Sequence, residues 1–287
     1  MNNFKPIFGI DVTENKNNET VNGSEFIVRK LSEQKINEYD DKHNDVLETV
    51  EKSQSPLWIE IVKWLCLIIF LPVVTSIIKV GFVTATQNAP ILVIVGFVCG
   101  IAWVALMIYT KKKEKKVLQE EKVEERVDEL VKDREAMYRE LGVPEDAEYV
   151  DVLQFFYKIK KEKIVPYASG LQLTAYVNPE VKIFATEEDL YIADHESVYS
   201  LKKSEFKSIT CVDKRVYVPM WNKDEEPTKG RFKSYKMTVN SYGCVIFKPY
   251  YILNIEHEGK IYGLYFPCYE LEVFERLTGL KAELRTK

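Results

Sequence analysis

Charged residues are distributed very unevenly along this chain. Although 29% of its residues are charged, the stretch from Leu57 to Tyr109 contains only Glu60, Lys63 and Lys79 as charged residues. A helix rises ~1.5 Å per residue and the hydrocarbon layer of a bilayer is ~30 Å thick, so about 20 apolar residues suffice to cross it. The pattern therefore predicts two transmembrane helices within residues 57–110.

The two predicted spans differ in how they reach the full thickness of the membrane. The first covers about 58–82, and its uncharged part from Trp64 to Ile78 is short, so the long side chains of Lys63 and Lys79 must reach the interface. The second, about 89–109, has no charge at all and makes a full crossing. The alternative is that these stretches are buried helices of a soluble core. Two such stretches in immediate succession disfavour that alternative.

The connection between the spans sets the topology. Only residues 83–88 join them, so the helices must form an antiparallel hairpin. Basic residues mark the cytoplasmic side, and a lysine cluster directly follows the second span, at Lys111, Lys112, Lys113, Lys115 and Lys116. We therefore expect a multi-pass protein of the cell membrane with two helices and with both termini in the cytoplasm.

Two glycines in the second span are candidates for helix packing. Gly96 and Gly100 have the GxxxG spacing, which lets two helix backbones approach closely. The partner helix is either the first span or a second copy of the chain, so a homo-oligomer is an open possibility.

The segments that flank the hairpin predict a helical stalk. Residues 1–56 form an N-terminal arm, with two possible short strands or a disordered tether, followed by a helix over about 31–51. Residues 111–141 have the pattern of a continuous charged helix that ends at Gly142. Residues 142–180 are expected to be a connector, and the apolar run 152–160 within it predicts an extra strand or helix that packs as a cap on the barrel or, alternatively, a partner surface.

From residue 181 to 287 the pattern changes to short β-branched and aromatic runs separated by turn residues. The chain then ends in an amphipathic helix, whose apolar face contains Tyr269, Leu271, Phe274, Leu277 and Leu280. The segment therefore predicts an antiparallel β barrel capped by one helix, and the chain as a whole an α+β membrane protein.

Three parts of this segment carry a family resemblance: residues 190–194, residues 204–209, and the closing strand with the helix at 269–280. Here the chain resembles bacterial PH-like domains. As a whole it resembles uncharacterised bacterial proteins that combine two membrane helices with such a domain. The resemblance implies a docking role toward lipid, peptide or protein partners, and it brings no catalytic residues.

One group of basic residues is a candidate binding surface within this domain. The lipid bilayer itself is an expected partner, and a headgroup or phosphate would be bound by Lys202, Lys203, Lys207, Lys229, Arg231, Lys233 and Lys236. The alternative is a solvated face, which the neighbouring Glu225 and Glu226 favour. The net charge of −4 and the membrane tether both argue against a nucleic-acid partner.

The sequence lacks familiar catalytic motifs. It has no phosphate-binding loop, no dinucleotide fingerprint and no nucleophile elbow, and its three histidines and five cysteines have no metal-site spacing. We therefore expect no catalytic residues, no cofactor and no metal, and a protein that is not an enzyme. The first hypothesis is a membrane-tethered module that docks a protein partner. The alternatives are an anionic lipid or phosphate sensor and a small subunit of a membrane transport complex.

Overall fold

A computed structural model of the chain describes most of its residues. They are 4–12, 19–53, 55–120, 122–160, 163–169, 172–219, 221, 223, 225–241 and 243–284. The chain divides into two compact units, a helical unit at Gln34–Arg134 and an α+β unit formed by Met1–Glu33 and Glu135–Lys287. The helical unit is therefore an insertion in the chain of the α+β unit.

The described part of the chain contains six α-helices. They are α1 (Glu33–Ser53), α2 (Leu57–Val80), α3 (Phe82–Asn88), α4 (Pro90–Glu120), α5 (Val123–Glu140) and α6 (Leu271–Thr278). Both α2 and α4 are long and apolar enough to cross a membrane. Their bounds agree with the predicted spans, except that α4 continues through the lysine cluster and the connection forms the short helix α3.

In the hairpin, α2 and α4 pack side by side in antiparallel directions. Val73 of α2 contacts α4 at Gly96, and Phe70 contacts it at Gly100, so residue numbers rise on one helix as they fall on the other. At the start of α2, the Nζ atom of Lys63 lies 2.7 Å from the Glu60 carboxylate. This pair has the helical spacing of three residues at which opposite charges meet.

In the helical unit, α1 and α5 also run antiparallel, as the predicted stalk requires. Lys42 of α1 lies 2.6 Å from the Asp133 carboxylate, and Arg126 of α5 pairs with Asp45. The helix predicted for 111–141 is not continuous, however, because α4 ends at Glu120 and Lys122 has a φ of +49°. A left-handed residue cannot belong to a right-handed helix, so α5 starts a new helix at Val123.

The α+β unit is built from seventeen strands in the described part of the chain. They are β1 (Phe4–Pro6), β2 (Phe8–Asp11), β3 (Glu19–Asn22), β4 (Ile27–Lys30), β5 (Glu148–Lys160), β6 (Lys163–Pro166), β7 (Ala168–Ser169), β8 (Gln172–Ala185), β9 (Asp189–Ala193), β10 (Ser197–Lys202), β11 (Phe206–Val212), β12 (Val216–Val218), β13 (Thr238–Val239), β14 (Val245–Phe247), β15 (Tyr250–His257), β16 (Lys260–Pro267) and β17 (Ala282–Leu284).

These strands form two sheets. The smaller sheet has the order β1-β16-β15-β11-β17, and its main ladders, β11 with β15 and β15 with β16, are antiparallel. The larger sheet has twelve strands, with a path β13-β14-β12-β8-β5-β2-β3 and with β9, β10, β4, β6 and β7 attached at its side. Among the described strands no closed barrel forms, so the predicted capped barrel appears as two open sheets and a helix.

The segment predicted as a connector lies at the centre of this unit. The strands β5 and β8 pair along most of their length, and from Val150 to Leu153 β5 has both faces buried. Val150 and Val152 enter one hydrophobic core, while Leu153 and Phe155, on the opposite face, enter a second core. Residues 142–180 therefore supply β5 and most of β8, the two longest strands of the described unit.

The N-terminal strands complete the same sheets. The first, β1, pairs in parallel with β16, and β2 pairs in parallel with β5. Ile7 and Phe8 are buried in the first core. The described residues 4–12 and 19–30 are thus part of the α+β unit, whereas residues 13–18 lie outside the described part of the chain.

The C-terminal helix α6 closes the first core. Phe274 is fully buried, and its ring stacks on Phe266 of β16 with 3.9 Å between ring centres. The apolar face predicted for the terminal helix is therefore used for packing. Gly279 ends the helix with a φ of +75°, a conformation that glycine adopts without strain.

Candidate functional site

The seven basic residues of the candidate headgroup site lie on two separate segments. Lys202, Lys203 and Lys207 surround the connection from β10 to β11. Of these, Lys203 donates a hydrogen bond of 2.7 Å to the carbonyl oxygen of Thr186, and Lys207 lies 2.9 Å from the Glu256 carboxylate. Two of these three ammonium groups thus have a partner within the chain.

The other four residues lie on or beside a 3₁₀ helix at Gly230–Tyr235, between β12 and β13. Lys229 lies 2.9 Å from the Glu226 carboxylate, and the Nε atom of Arg231 lies 3.1 Å from the Glu225 carboxylate. Lys233 and Lys236 are exposed. These ion pairs reduce the positive potential that an anionic ligand would meet.

The two candidate packing glycines face α2 within the hairpin. A methyl group added at Gly96 would lie 2.5 Å from Val73, and one added at Gly100 would lie 2.7 Å from the Phe70 ring. Both distances are below any normal contact, so only glycine permits this approach. The GxxxG surface is therefore occupied by the chain's own first span.

A buried polar cluster that the sequence did not indicate lies at the edge of the second core. Asp151 of β5 is 1% exposed, and its carboxylate accepts a 2.7 Å hydrogen bond from the Tyr269 hydroxyl. The same carboxylate lies 2.8 Å from the Nζ atom of Lys223. Glu270, which is 5% exposed, lies beside Asp151 and accepts a hydrogen bond from its backbone N–H. Two carboxylates, one ammonium and one phenol thus share a site with little access to water.

Burial dominates the electrostatics of this cluster. It disfavours the charged carboxylate of Glu270, and the negative charge of Asp151 adds to this effect, so the pKa of Glu270 rises to about 7. Burial also raises the pKa of Tyr269 well above its usual value, helped by the charge of Asp151 and by the hydrogen bond to it. The cluster therefore holds an exchangeable proton near neutral pH, and Glu270 carries it.

Aromatic rings shield this cluster from solvent. The ring of Tyr269 meets Phe232 edge-on at 5.0 Å, with Trp221, Tyr235 and Phe247 at 6.0 to 6.2 Å. The indole N–H of Trp221 donates a 2.8 Å hydrogen bond to the carbonyl oxygen of Glu225. The cluster and its aromatic wall therefore attach the segment after β12 to β5 and to the end of β16.

The position of Asp151 offered one signal that sequence reasoning missed. It is a carboxylate inside an otherwise apolar run, between Val150 and Val152. A buried strand tolerates such a residue only with partners for its charge. Its partners lie 72 and 118 residues further along the chain, at Lys223 and Tyr269, so no local spacing could have identified them.

Within the described part of the chain, no group of three or more histidine, cysteine, aspartate or glutamate side chains is arranged to hold a metal ion. Searches against protein-family models, curated proteins and solved structures returned no match to this chain. The physical properties of the two units are therefore the basis for assigning a function.

Proposed function

We propose that this chain is a membrane-anchored interaction protein, in which α2 and α4 cross the bilayer and tether the α+β unit. The observation that carries this proposal is the outward direction of their apolar side chains. Trp64, Ile68 and Ile78 of α2 and Ile91, Ile94 and Ile101 of α4 are all more than 60% exposed. Exposing such a surface to water costs ~25 cal/mol per Å², whereas in a bilayer it contacts lipid chains that are equally apolar.

The orientation in the membrane follows from the charges at the ends of the hairpin. The lysine cluster at 111–116 continues α4 beyond its apolar part, and α1 and α5 carry the ion pairs of a water-exposed stalk. By the distribution of positive charges, we place both ends of the hairpin and both termini in the cytoplasm.

A surface of the α+β unit supports protein docking as the role of this unit. On the outer face of β5 and β8, the rings of Phe156 and Tyr176 meet at 5.3 Å, and the Nζ atom of Lys158 lies 4.9 Å from the Tyr167 ring centre. Tyr167 and Tyr176 are exposed. Exposed aromatic residues are enriched at protein interfaces because they bury a large area with few rotatable bonds. We also retain the PH-like relationship as a proposal, which the packing of α6 on β16 supports.

The alternative of headgroup sensing by the basic residues of the α+β unit is less well supported, because Lys207, Lys229 and Arg231 are paired with carboxylates. Substituting Lys229, Arg231, Lys233 and Lys236 by serine in the full chain is therefore expected to leave its affinity for anionic nanodiscs over neutral ones unchanged. A clear loss of that preference would favour the sensor.

Membrane anchoring is tested by fractionation and by a topology reporter. The full chain is expected to stay with membranes after alkaline carbonate washing, and a reporter fused after residue 287 is expected to be inaccessible from outside intact cells. Recovery in the soluble fraction without detergent contradicts the anchor. A reporter accessible from outside contradicts only the orientation.

Docking is tested by quantitative affinity purification of the full chain from detergent extracts. The double variant Phe156→Ser/Tyr176→Ser is expected to lose partners that the wild type retains. The matched control is Val28→Ser/Val239→Ser, which removes two exposed apolar side chains elsewhere on the α+β unit. Identical partner recovery with both variants argues against this surface.

A further inference from the structure

The hairpin carries an apolar groove on its outer surface. The groove has a volume of about 450 Å³ and is lined by Phe70 of α2 and by residues of α4 that include Phe97, Gly100, Val104 and Ile108. It exists because Gly100 has no side chain, so that the Phe70 ring lies against the α4 backbone and leaves a channel beside it. Its lining is almost entirely apolar.

The groove leads directly to the lysine cluster. Residues three or four apart lie on the same face of a helix. The groove residues Val104 and Ile108 are therefore followed on the same face by Lys111, Lys112 and Lys115, and all three of these lysines are exposed. Lys113 lies about 180° from Val104 around the helix axis, on the opposite face.

The length of the groove matches one leaflet of a bilayer. From Phe97 to Ile108 the helix rises about 16 Å at 1.5 Å per residue, which is close to half of the ~30 Å hydrocarbon layer. The lysines then lie at the depth of the headgroups in the same leaflet. An apolar channel one leaflet long, with positive charge at its outer end, is complementary to a phospholipid with a net negative charge.

We propose that this groove is a binding site for an anionic phospholipid, with one acyl chain along Phe97, Val104 and Ile108 and the phosphate between Lys111, Lys112 and Lys115. The inference rests on the membrane insertion proposed above. A second copy of the chain is the other candidate occupant. A parallel copy would bring its own lysines to the same level, and like charges would repel, so the lysine cluster favours the lipid.

The first test measures lipid retention by native mass spectrometry of the full chain in detergent. The probes are phosphatidylglycerol and phosphatidylcholine at equal concentration, which differ in net charge. The wild type is expected to retain phosphatidylglycerol preferentially, and Lys111→Gln/Lys115→Gln to weaken its binding about thirtyfold, since each lysine contributes ~1 kcal/mol at a membrane surface. In a single-charge comparison, Lys115→Gln is expected to weaken binding about fivefold, whereas the control Lys113→Gln removes the same charge from the opposite face and is expected to keep most of the preference.

The second test fills the groove without changing charge. Val104→Trp places a large ring inside it, and Val95→Trp places the same ring on the opposite face of α4, at a similarly exposed position. Only Val104→Trp is expected to reduce phosphatidylglycerol retention.

Equal retention of the two lipids by the wild type, or equal losses in the groove variants and their controls, overturns the inference. Neither result contradicts the proposed membrane anchoring, because anchoring is measured separately by membrane extraction. Appearance of a dimer that Val104→Trp abolishes would assign the groove to a second copy and would also overturn it.

Discussion

The two units of this chain place their apolar residues in opposite ways. In the helical unit, Ile78 is 77% exposed and Ile91 is 75% exposed, whereas in the α+β unit Leu190 and Leu264 are fully buried. Both arrangements remove apolar surface from water, the second by packing and the first only if a bilayer surrounds it. With the bilayer insertion proposed above, the same preference of apolar side chains for apolar surroundings accounts for both units.

The charged residues follow the same division. In the described part of the α+β unit, the buried Asp151 and Lys182 each pair with an opposite charge, while the part of the helical unit inside the proposed membrane has the Glu60–Lys63 pair and Lys79 at its ends. Charge is excluded from both apolar environments for the same reason, the loss of hydration. Four substitutions sharpen the contrast.

The largest effect is expected from truncating a core ring. Phe266→Ala removes a fully buried side chain that stacks on Phe274, and we expect the free energy of unfolding to fall by about 3 to 5 kcal/mol. Ile68→Ala, at an exposed position of α2, is expected to have almost no effect on the same unfolding transition. Denaturant unfolding of the full chain in detergent, followed by tyrosine fluorescence, measures both. Similar losses in the two variants would contradict the division.

A charge in the middle of the hairpin is expected to impair membrane insertion. Val98→Arg puts a guanidinium on an exposed position of α4 next to the centre of the span, where it costs about 2.5 to 3.5 kcal/mol. We expect a reduced membrane-integrated fraction in a carbonate-extraction assay. Val239→Arg, which introduces the same charge on the α+β unit, should leave the membrane-integrated fraction unchanged. A loss of membrane integration in the Val239→Arg variant would indicate misfolding instead.

Glu270 is expected to make the stability of the α+β unit depend on pH. Its pKa is raised from 4.5 to about 7, so the folded state holds this proton more tightly than the unfolded chain. The stability that the group contributes is therefore complete below pH ~4.5 and is lost as the pH rises to about 7, by about 3 kcal/mol.

Glu270→Gln removes this titration. The variant is expected to match the wild type near pH 5 and to be more stable at pH 8, as measured by unfolding midpoints of the full chain at both pH values. Glu272→Gln, at an exposed position on α6, serves as the control. Parallel pH profiles of wild type and Glu270→Gln would show that the carboxyl is already charged at pH 5.

The smallest effect is expected from closing the contact between the two spans. Gly96→Leu forces its side chain into Val73, and we expect destabilisation by about 1 to 3 kcal/mol. Thermal stability of the hairpin in detergent, followed by cross-linking of cysteines placed on α2 and α4, reports this change. Val95→Leu, on an exposed face, should be neutral, and equal effects would remove the case for glycine-mediated packing.

Sequence reasoning located the helices well because their signals are local. The absence of charge between Lys63 and Lys79 and again up to Tyr109 marks both α2 and α4. The break at Lys122 was missed, because the charged residues on either side all favour a helix. The run 152–160 was interpreted as an extra strand or helix, but the full length and central place of β5 were missed. From Val150 to Leu153 this strand is buried on both faces, so it lacks there the polar alternation by which half-buried strands are recognised.

The candidate sites divide in the same way. Gly96 and Gly100 were identified by their spacing, and the hairpin contact agrees with the packing expected of them. The seven basic residues and the neighbouring Glu225 and Glu226 were also read from the sequence, but the pairing of Lys207 with Glu256 became known only from the fold. The Asp151 cluster was invisible, because its members come from distant segments.

Local chemistry alone was thus sufficient to define two long apolar helices, their antiparallel connection and the amphipathic helix that follows the last long strand, since each depends on residues within a few turns of one another. The pairing of β1 with β16 and of β2 with β5 joins segments that the inserted helical unit separates along the chain. The burial of Asp151 with Lys223 and Tyr269 likewise depends on residues that are 72 and 118 positions away in the chain. Such contacts form only when the whole α+β unit buries its two cores, because the free energy that selects them is shared among all its strands.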